Sequence, residues 1–121
     1  MRVGIVGSRR FTDREAVEEL VASLPRHAII VSGGCRGVDT WAVEKAKALG
    51  MAEPKEHLPI LKGCKEYWQY TQAYHKRNKE IVDDSDIIYA FVAGDRRGGT
   101  ENTIKHANEA GVKVVIKGEI K

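Results

Sequence analysis

Five of the nine arginines in this 121-residue chain fall in three short glycine-containing loops. These are Gly7-Ser8-Arg9-Arg10, Ser32-Gly33-Gly34-Cys35-Arg36-Gly37 and Gly94-Asp95-Arg96-Arg97-Gly98-Gly99-Thr100. Glycine lets main-chain N–H groups approach an anion, a helix start adds partial positive charge, and guanidinium forks match phosphate oxygens. The eleven lysines lie almost wholly on expected helix and strand surfaces, so the arginines are concentrated where a phosphate would sit. Any strand-to-helix turn needs a glycine, and a loop arginine can simply be solvated. One such loop would say little; three on one sheet edge point to an anion site.

Other chemistries lack their residues. Gly4-Ile5-Val6-Gly7-Ser8 is not G-x-G-x-x-G, and the second apolar run ends in Val31-Ser32 without the acid that holds an NAD ribose. No G-x-x-x-x-G-K-[ST] occurs. Hydride transfer and a Walker-type NTPase are therefore disfavoured. His27, His57, His75 and His106 are scattered, and Cys35 and Cys64 form no C-x-x-C, so neither a metal nor a cofactor is expected. With no secretory leader, a reducing cytoplasm is the simplest home.

The elements that must position the loops alternate between apolar runs and helical patterns, which predicts βαβ units. Val3, Ile5 and Val6 form a strand ending at Gly7. Thr12 and Glu15 suggest a capping box for a helix carrying Ala16, Val17, Leu20, Val21 and Leu24 inward, up to Pro25. Ala28 to Val31 is the second strand. The next helix carries Val38, Ala42, Ala46 and Leu49 and closes at Gly50. Ala52 to Leu58 contains Pro54 and can only be an edge strand. Lys65 to Asp83 is the longest helix, with Tyr67, Tyr70, Tyr74 and Ile81 close to one stripe. Ile87 to Val92 is the strongest strand; a helix from about Thr100 to Ala110 and a last strand, Val112 to Ile116, follow. Right-handed crossovers give a five-strand parallel sheet in the order 3-2-1-4-5, with a ligand crevice at the carboxyl ends of strands one and four.

The size fits a single domain over residues 1–121. With 42% hydrophobic and 31% charged residues the composition is that of a globular chain. A net charge of +3 is too mild to announce nucleic-acid binding by itself. No apolar run approaches the roughly 18 to 20 residues of a membrane span, so no membrane partner is expected.

Four ordered motifs carry a family resemblance. Gly7-Ser8-Arg9 with Phe11-Thr12-Asp13, Ser32-Gly33-Gly34 with Arg36-Gly37-Val38-Asp39, Arg77-Asn78, and Ala90-Phe91 with Gly99-Thr100 together resemble the YspA group, cpYpsA-related, of the SLOG superfamily. The likeness runs from Val3 to Ile116. It implies an α/β, Rossmann-like three-layer sandwich that binds a nucleotide or nucleotide-derived ligand. The ligand-binding residues it implies are Gly7, Ser8, Arg9, Ser32, Gly33, Gly34, Arg36, Gly37, Asp39, Arg77, Asn78, Gly98, Gly99 and Thr100.

Two relatives of that superfamily frame the alternatives. Lonely Guy enzymes cleave the base from a nucleoside monophosphate, with an arginine in the helix before strand four and a G-T-x-E-E box. His75-Lys76-Arg77 resembles the first part. The second departs: Gly99-Thr100 is followed by Glu101, Asn102 and Thr103, so Glu101 stands one position off, about 100° around a helix. The DNA processing protein DprA suggests single-stranded DNA instead, with aromatics such as Tyr67, Trp68 and Tyr70 stacking bases beside Lys65, Lys76 and Arg77.

Each candidate also has a structural reading. Arg77 and Asn78 could form a solvated helix face, Asp39 could cap a helix, and Cys35 could simply fill a tight turn. Trp41, Tyr67, Trp68, Tyr70 and Tyr74 suit a helix packed on the sheet or on a second subunit better than a base platform, so a homo-oligomer is expected. The order of preference is ligand capture as a signal, then N-glycosidic or phosphate ester hydrolysis with Glu101 or Asp95 as acid or base, then DNA binding.

Overall fold

The computed structural model describes residues 1–94 and 99–118. Five strands, β1 (Arg2–Gly7), β2 (Ile29–Ser32), β3 (Lys55–Glu56), β4 (Ile87–Val92) and β5 (Lys113–Gly118), alternate with four helices. The helices are α1 (Arg14–Ser23), α2 (Val38–Ala48), α3 (Tyr67–Asp83) and α4 (Gly99–Ala110). All strand pairs are parallel and the sheet order is β3-β2-β1-β4-β5, as the crossover argument predicts.

Strand side chains alternate between two cores, because successive Cβ atoms point to opposite faces. Val3, Ile5, Ile30 and Phe91 pack with Val17 and Val21 of α1 and Ala42 and Ala46 of α2. Val6, Val31, Ile88, Ala90 and Val92 pack on the other face with Ile81 and Val82 of α3 and Ile104 and Ala107 of α4. Being covered on both sides explains why β4 reads as an unbroken apolar run. β3, which follows Pro54, supplies only two exposed edge residues.

The helix ends show how local chemistry sets the boundaries. α1 is capped by Asp13, whose carboxylate accepts the Ala16 N–H at 3.2 Å, and not by Thr12 as the capping-box reading had it. A carboxylate is the stronger acceptor at a positive helix end, so the start moves one residue on. The helix ends as Leu24 turns extended ahead of Pro25, whose ring disfavours helical geometry in the preceding residue. α3 starts at Tyr67, where Gln69 Oε1 accepts the N–H groups of Lys65 at 2.6 Å and Glu66 at 2.9 Å.

The expected inward stripe of α3 fails at its first turns. Tyr67 is 87% exposed and Trp68 57%, and the buried residues are Arg77, Asn78, Ile81 and Val82. A 17-residue helix is about 25 Å long, whereas a six-residue strand spans about 20 Å. In a right-handed crossover the helix runs back along the sheet, so its first turns overhang the carboxyl edge.

Candidate functional site

β1 and β4 lie side by side, and the chain leaves β1 toward β2 on one flank and β4 toward β5 on the other. This is the switch point at which α/β sheets open a crevice. Ser8 donates its N–H to the Phe91 carbonyl at 2.9 Å, fixing the first loop to the top of β4. Ser8 Oγ accepts the Arg10 N–H at 3.1 Å and Ser8 O accepts the Phe11 N–H at 3.1 Å, a tight turn that leaves Arg9 and Arg10 exposed. Gly7 permits this: a Cβ there would lie 2.4 Å from Val38 Cγ2, so only glycine lets β1 meet the start of α2.

The second loop already holds an anion of its own. Asp39 is buried, and its Oδ2 accepts the N–H of Gly33 at 3.0 Å and of Cys35 at 3.3 Å. Burial pushes its carboxyl up to about 6 from the ordinary 3.8, against the two main-chain hydrogen bonds and the nearby Arg77 charge, with Glu56 adding to the rise. Asp39 thus organises loop N–H groups; in this arrangement Gly33 and Cys35 do not offer theirs to a phosphate.

Arg77 and Asn78, consecutive on α3, are buried and brace the site from below. Arg77 donates through one terminal nitrogen to Gly33 O at 2.6 Å and through Nε to Asn78 Oδ1 at 3.0 Å, while its other terminal nitrogen lies 3.6 Å from Cys35 Sγ. Gly33 makes room for this approach, since a Cβ would sit 2.7 Å from the guanidinium. Asn78 Nδ2 donates to Gly99 O at 3.3 Å and Asn102 Oδ1 at 3.1 Å. One buried dipeptide therefore ties the second loop to the first turn of α4. The solvated helix face considered for these two residues is not what the fold builds.

Two adjoining clefts open on this frame. The first, about 550 Å³, runs between the Ser8–Arg10 turn, the α3 face and the start of α4, where Thr100 and Thr103 line it. The second, about 720 Å³, lies between the second loop, Phe11, Trp41 and the Leu58-Pro59 segment. Arg9, Cys35, Tyr74 and Arg77 line both. Of the expected residues, Gly7, Ser8, Arg9, Asp39, Arg77, Asn78, Gly99 and Thr100 border the first cleft, and Gly33, Gly34, Arg36 and Gly37 the second. Ser32 borders neither; it is fully buried and its Oγ finds no partner among the described residues. Gly98, Asp95, Arg96 and Arg97 lie outside the described residues.

Sequence reasoning passed over Thr71, and weighed Tyr74 only as a packing or base-stacking aromatic and His75 only as a neighbour of Arg77; all three line the first cleft. The signal was present as the spacing of Tyr67, Thr71, Tyr74, Asn78 and Ile81, one face of α3 that is polar along much of its length. Leu58 and Pro59 carried no comparable signal, because they reach the second cleft from an irregular segment. Among the described residues no group of three or more His, Cys, Asp or Glu side chains could hold a metal ion, and no helix is long and apolar enough to cross a membrane.

The family model described as DNA recombination-mediator protein A matches residues 1–54, the part carrying the first two loops. No curated protein matches the chain. Among solved structures, DNA processing protein A (DprA) from Streptococcus pneumoniae is similar over 96% of this chain at 17% identity, with a TM-score of 0.60. The chain spans 58% of the length of that DprA structure. The C-terminal domain of a hydrogenase from Pyrococcus furiosus aligns over 96% of this chain and 90% of its own at 15% identity, with a TM-score of 0.47, too loose a likeness to bear on function. The family-model match spans 54 of the 121 residues, and the likeness to DprA shows a shared α/β fold with this sheet order.

Proposed function

We propose that the chain binds a nucleotide or nucleotide-derived phosphorylated ligand in the first cleft, as a capture module of the YspA kind. The observation that carries this reading is the meeting, at the switch point, of the Ser8–Arg10 turn with the start of α4, where Thr100 and Thr103 line the cleft. Exposed guanidinium groups on one side and a helix N-terminus on the other suit a phosphate dianion. The braced Arg77-Asn78 frame holds these parts without itself needing a ligand. Arg9→Ala is the test, read by calorimetry with AMP. A charge-assisted hydrogen bond is worth roughly 1.5 to 3 kcal/mol, so affinity falls at least tenfold. Unchanged affinity would put the phosphate elsewhere.

A second reading is DprA-like binding of single-stranded DNA. The family-model match over residues 1–54 favours it, together with the exposed ring of Tyr67 on the rim of the first cleft. Such binding weakens with salt by a slope of roughly 0.7 per phosphate contacted. A flat salt response with oligo-dT removes it. Hydrolysis is separated from capture by chromatography of AMP after long incubation, where free base or phosphate would mark turnover.

A further inference from the structure

We infer that the second cleft is a base pocket: it takes the flat heteroaromatic ring of a nucleotide whose phosphate lies in the first cleft. The inference rests on the proposed reading of the first cleft and adds which part of the ligand goes where. Its first support is the state of the second loop. A glycine-rich turn beside a cleft is a natural phosphate cradle, but here the N–H groups of Gly33 and Cys35 both point at Asp39 Oδ2, at 3.0 and 3.3 Å. A phosphate placed against that loop would meet a buried carboxylate already in possession of its donors.

The walls supply the second support. Phe11, Trp41, Leu58, Pro59 and Tyr74 line the second cleft with rings and aliphatic groups, with Arg36 as its own cation beside the Arg9 and Arg77 that it shares with the first cleft. Leu58 is 62% exposed although it is a leucine, and it leans over the second loop so closely that a Cβ on Gly34 would lie 2.5 Å from its Cδ2. An exposed apolar side chain held over a backbone loop forms one wall of a slot, and a slot lined by aromatic and aliphatic groups favours a flat, weakly polar ring over a sugar or a peptide. The third support is continuity. Tyr74 and Arg77 line both clefts, with the guanidinium carbon 5.7 Å from the Tyr74 ring centroid. A nucleotide crossing this shared wall can leave its phosphate with the Ser8–Arg10 turn while its base enters the slot.

The experiment compares AMP with ribose 5-phosphate, which keeps the phosphate and sugar and lacks the base. Affinities are measured by calorimetry for the unaltered chain, for Leu58→Ser and for Trp41→Leu. Leu58 is largely exposed, so its variant tests the wall without disturbing a core; Trp41 packs partly against the α1/α2 core, so Trp41→Phe serves as its conservative control. The unaltered chain binds AMP about tenfold or more tightly than ribose 5-phosphate, the scale of base–aromatic stacking. Leu58→Ser and Trp41→Leu narrow that gap and leave ribose 5-phosphate affinity in place, while Trp41→Phe restores most of it. Equal affinity of the unaltered chain for both ligands, or a gap that persists in both variants, overturns the base pocket while the phosphate site stands. Failure of the unaltered chain to bind either ligand overturns both.

Discussion

Replacing Asp39 by Asn keeps the shape of a side chain that organises the second loop and removes its charge. With Oδ1 in the place of the carboxylate oxygen, the amide can still accept the Gly33 and Cys35 N–H groups. Burial raises the folded carboxyl to about 6 from 3.8. That gap corresponds to about 3 kcal/mol at about 1.36 kcal/mol per pH unit, a free energy by which ionised Asp39 weakens the fold. Between the two values the folded state holds a proton that the unfolded state has released. Stability from this group is therefore full below the unfolded value and is lost as pH rises through the folded one. From about pH 7.5 down to about pH 5 the gain is on the order of 1 kcal/mol. Urea unfolding of the unaltered chain and of Asp39→Asn at those two pH values isolates it. The unaltered chain gains that much more than the variant on acidification, and the variant is at least as stable near neutrality. Parallel pH dependence in the two proteins, or a variant that loses stability at neutral pH by several kcal/mol, would refute the buried, ionisable carboxylate.

Asp84 gives the opposite sign. Burial raises its carboxyl, but the His57 hydrogen bond at 2.8 Å, Lys55 at 3.0 Å and the neighbouring Arg2 outweigh that and hold it below the ordinary value. Its contribution is present above the unfolded value and is lost as pH falls through the lowered folded one, so Asp84→Asn flattens the acid limb of a stability–pH curve measured below about pH 4. Gly7→Ala forces a Cβ to within 2.4 Å of Val38, and thermal unfolding registers a loss of about 1 to 3 kcal/mol for the overpacked contact. Asn78→Ala removes the bonds to Gly99 O and Asn102 and leaves Arg77 Nε without its acceptor, a loss of about 2 kcal/mol or more in urea unfolding, with weaker AMP binding as the start of α4 loosens.

What the sequence made legible was what repeats along it. Short apolar runs placed β1, β2 and β4 within a residue or so, and chain order with crossover handedness placed the crevice between β1 and β4. The glycines of the first two loops marked real close approaches, at Val38 for Gly7 and Arg77 for Gly33. What stayed hidden depended on distance through space. Arg77 resembles a ligand-binding arginine in the sequence, yet its partner Gly33 lies 44 positions away, and only the fold shows the guanidinium spent on bracing a loop. Asp39 could have capped its own helix, but it reaches back to the second loop's N–H groups. The aromatic run at Tyr67 and Trp68 has the composition of a packed face, and its exposure follows from α3 outrunning the strands beneath it.

Amide chemical-shift mapping tests, residue by residue, where a nucleotide phosphate sits. The chain, isotopically labelled and stripped of ligand, is titrated with AMP until the shifts saturate. The largest changes are predicted at Gly7 to Arg10 and at Gly99 to Thr103, with the Gly33 and Cys35 amides, already bonded to Asp39, moving less. Saturable shifts centred on another surface, or none at AMP concentrations well above those of nucleotide-binding proteins, would contradict a phosphate site at the junction of β1 and β4.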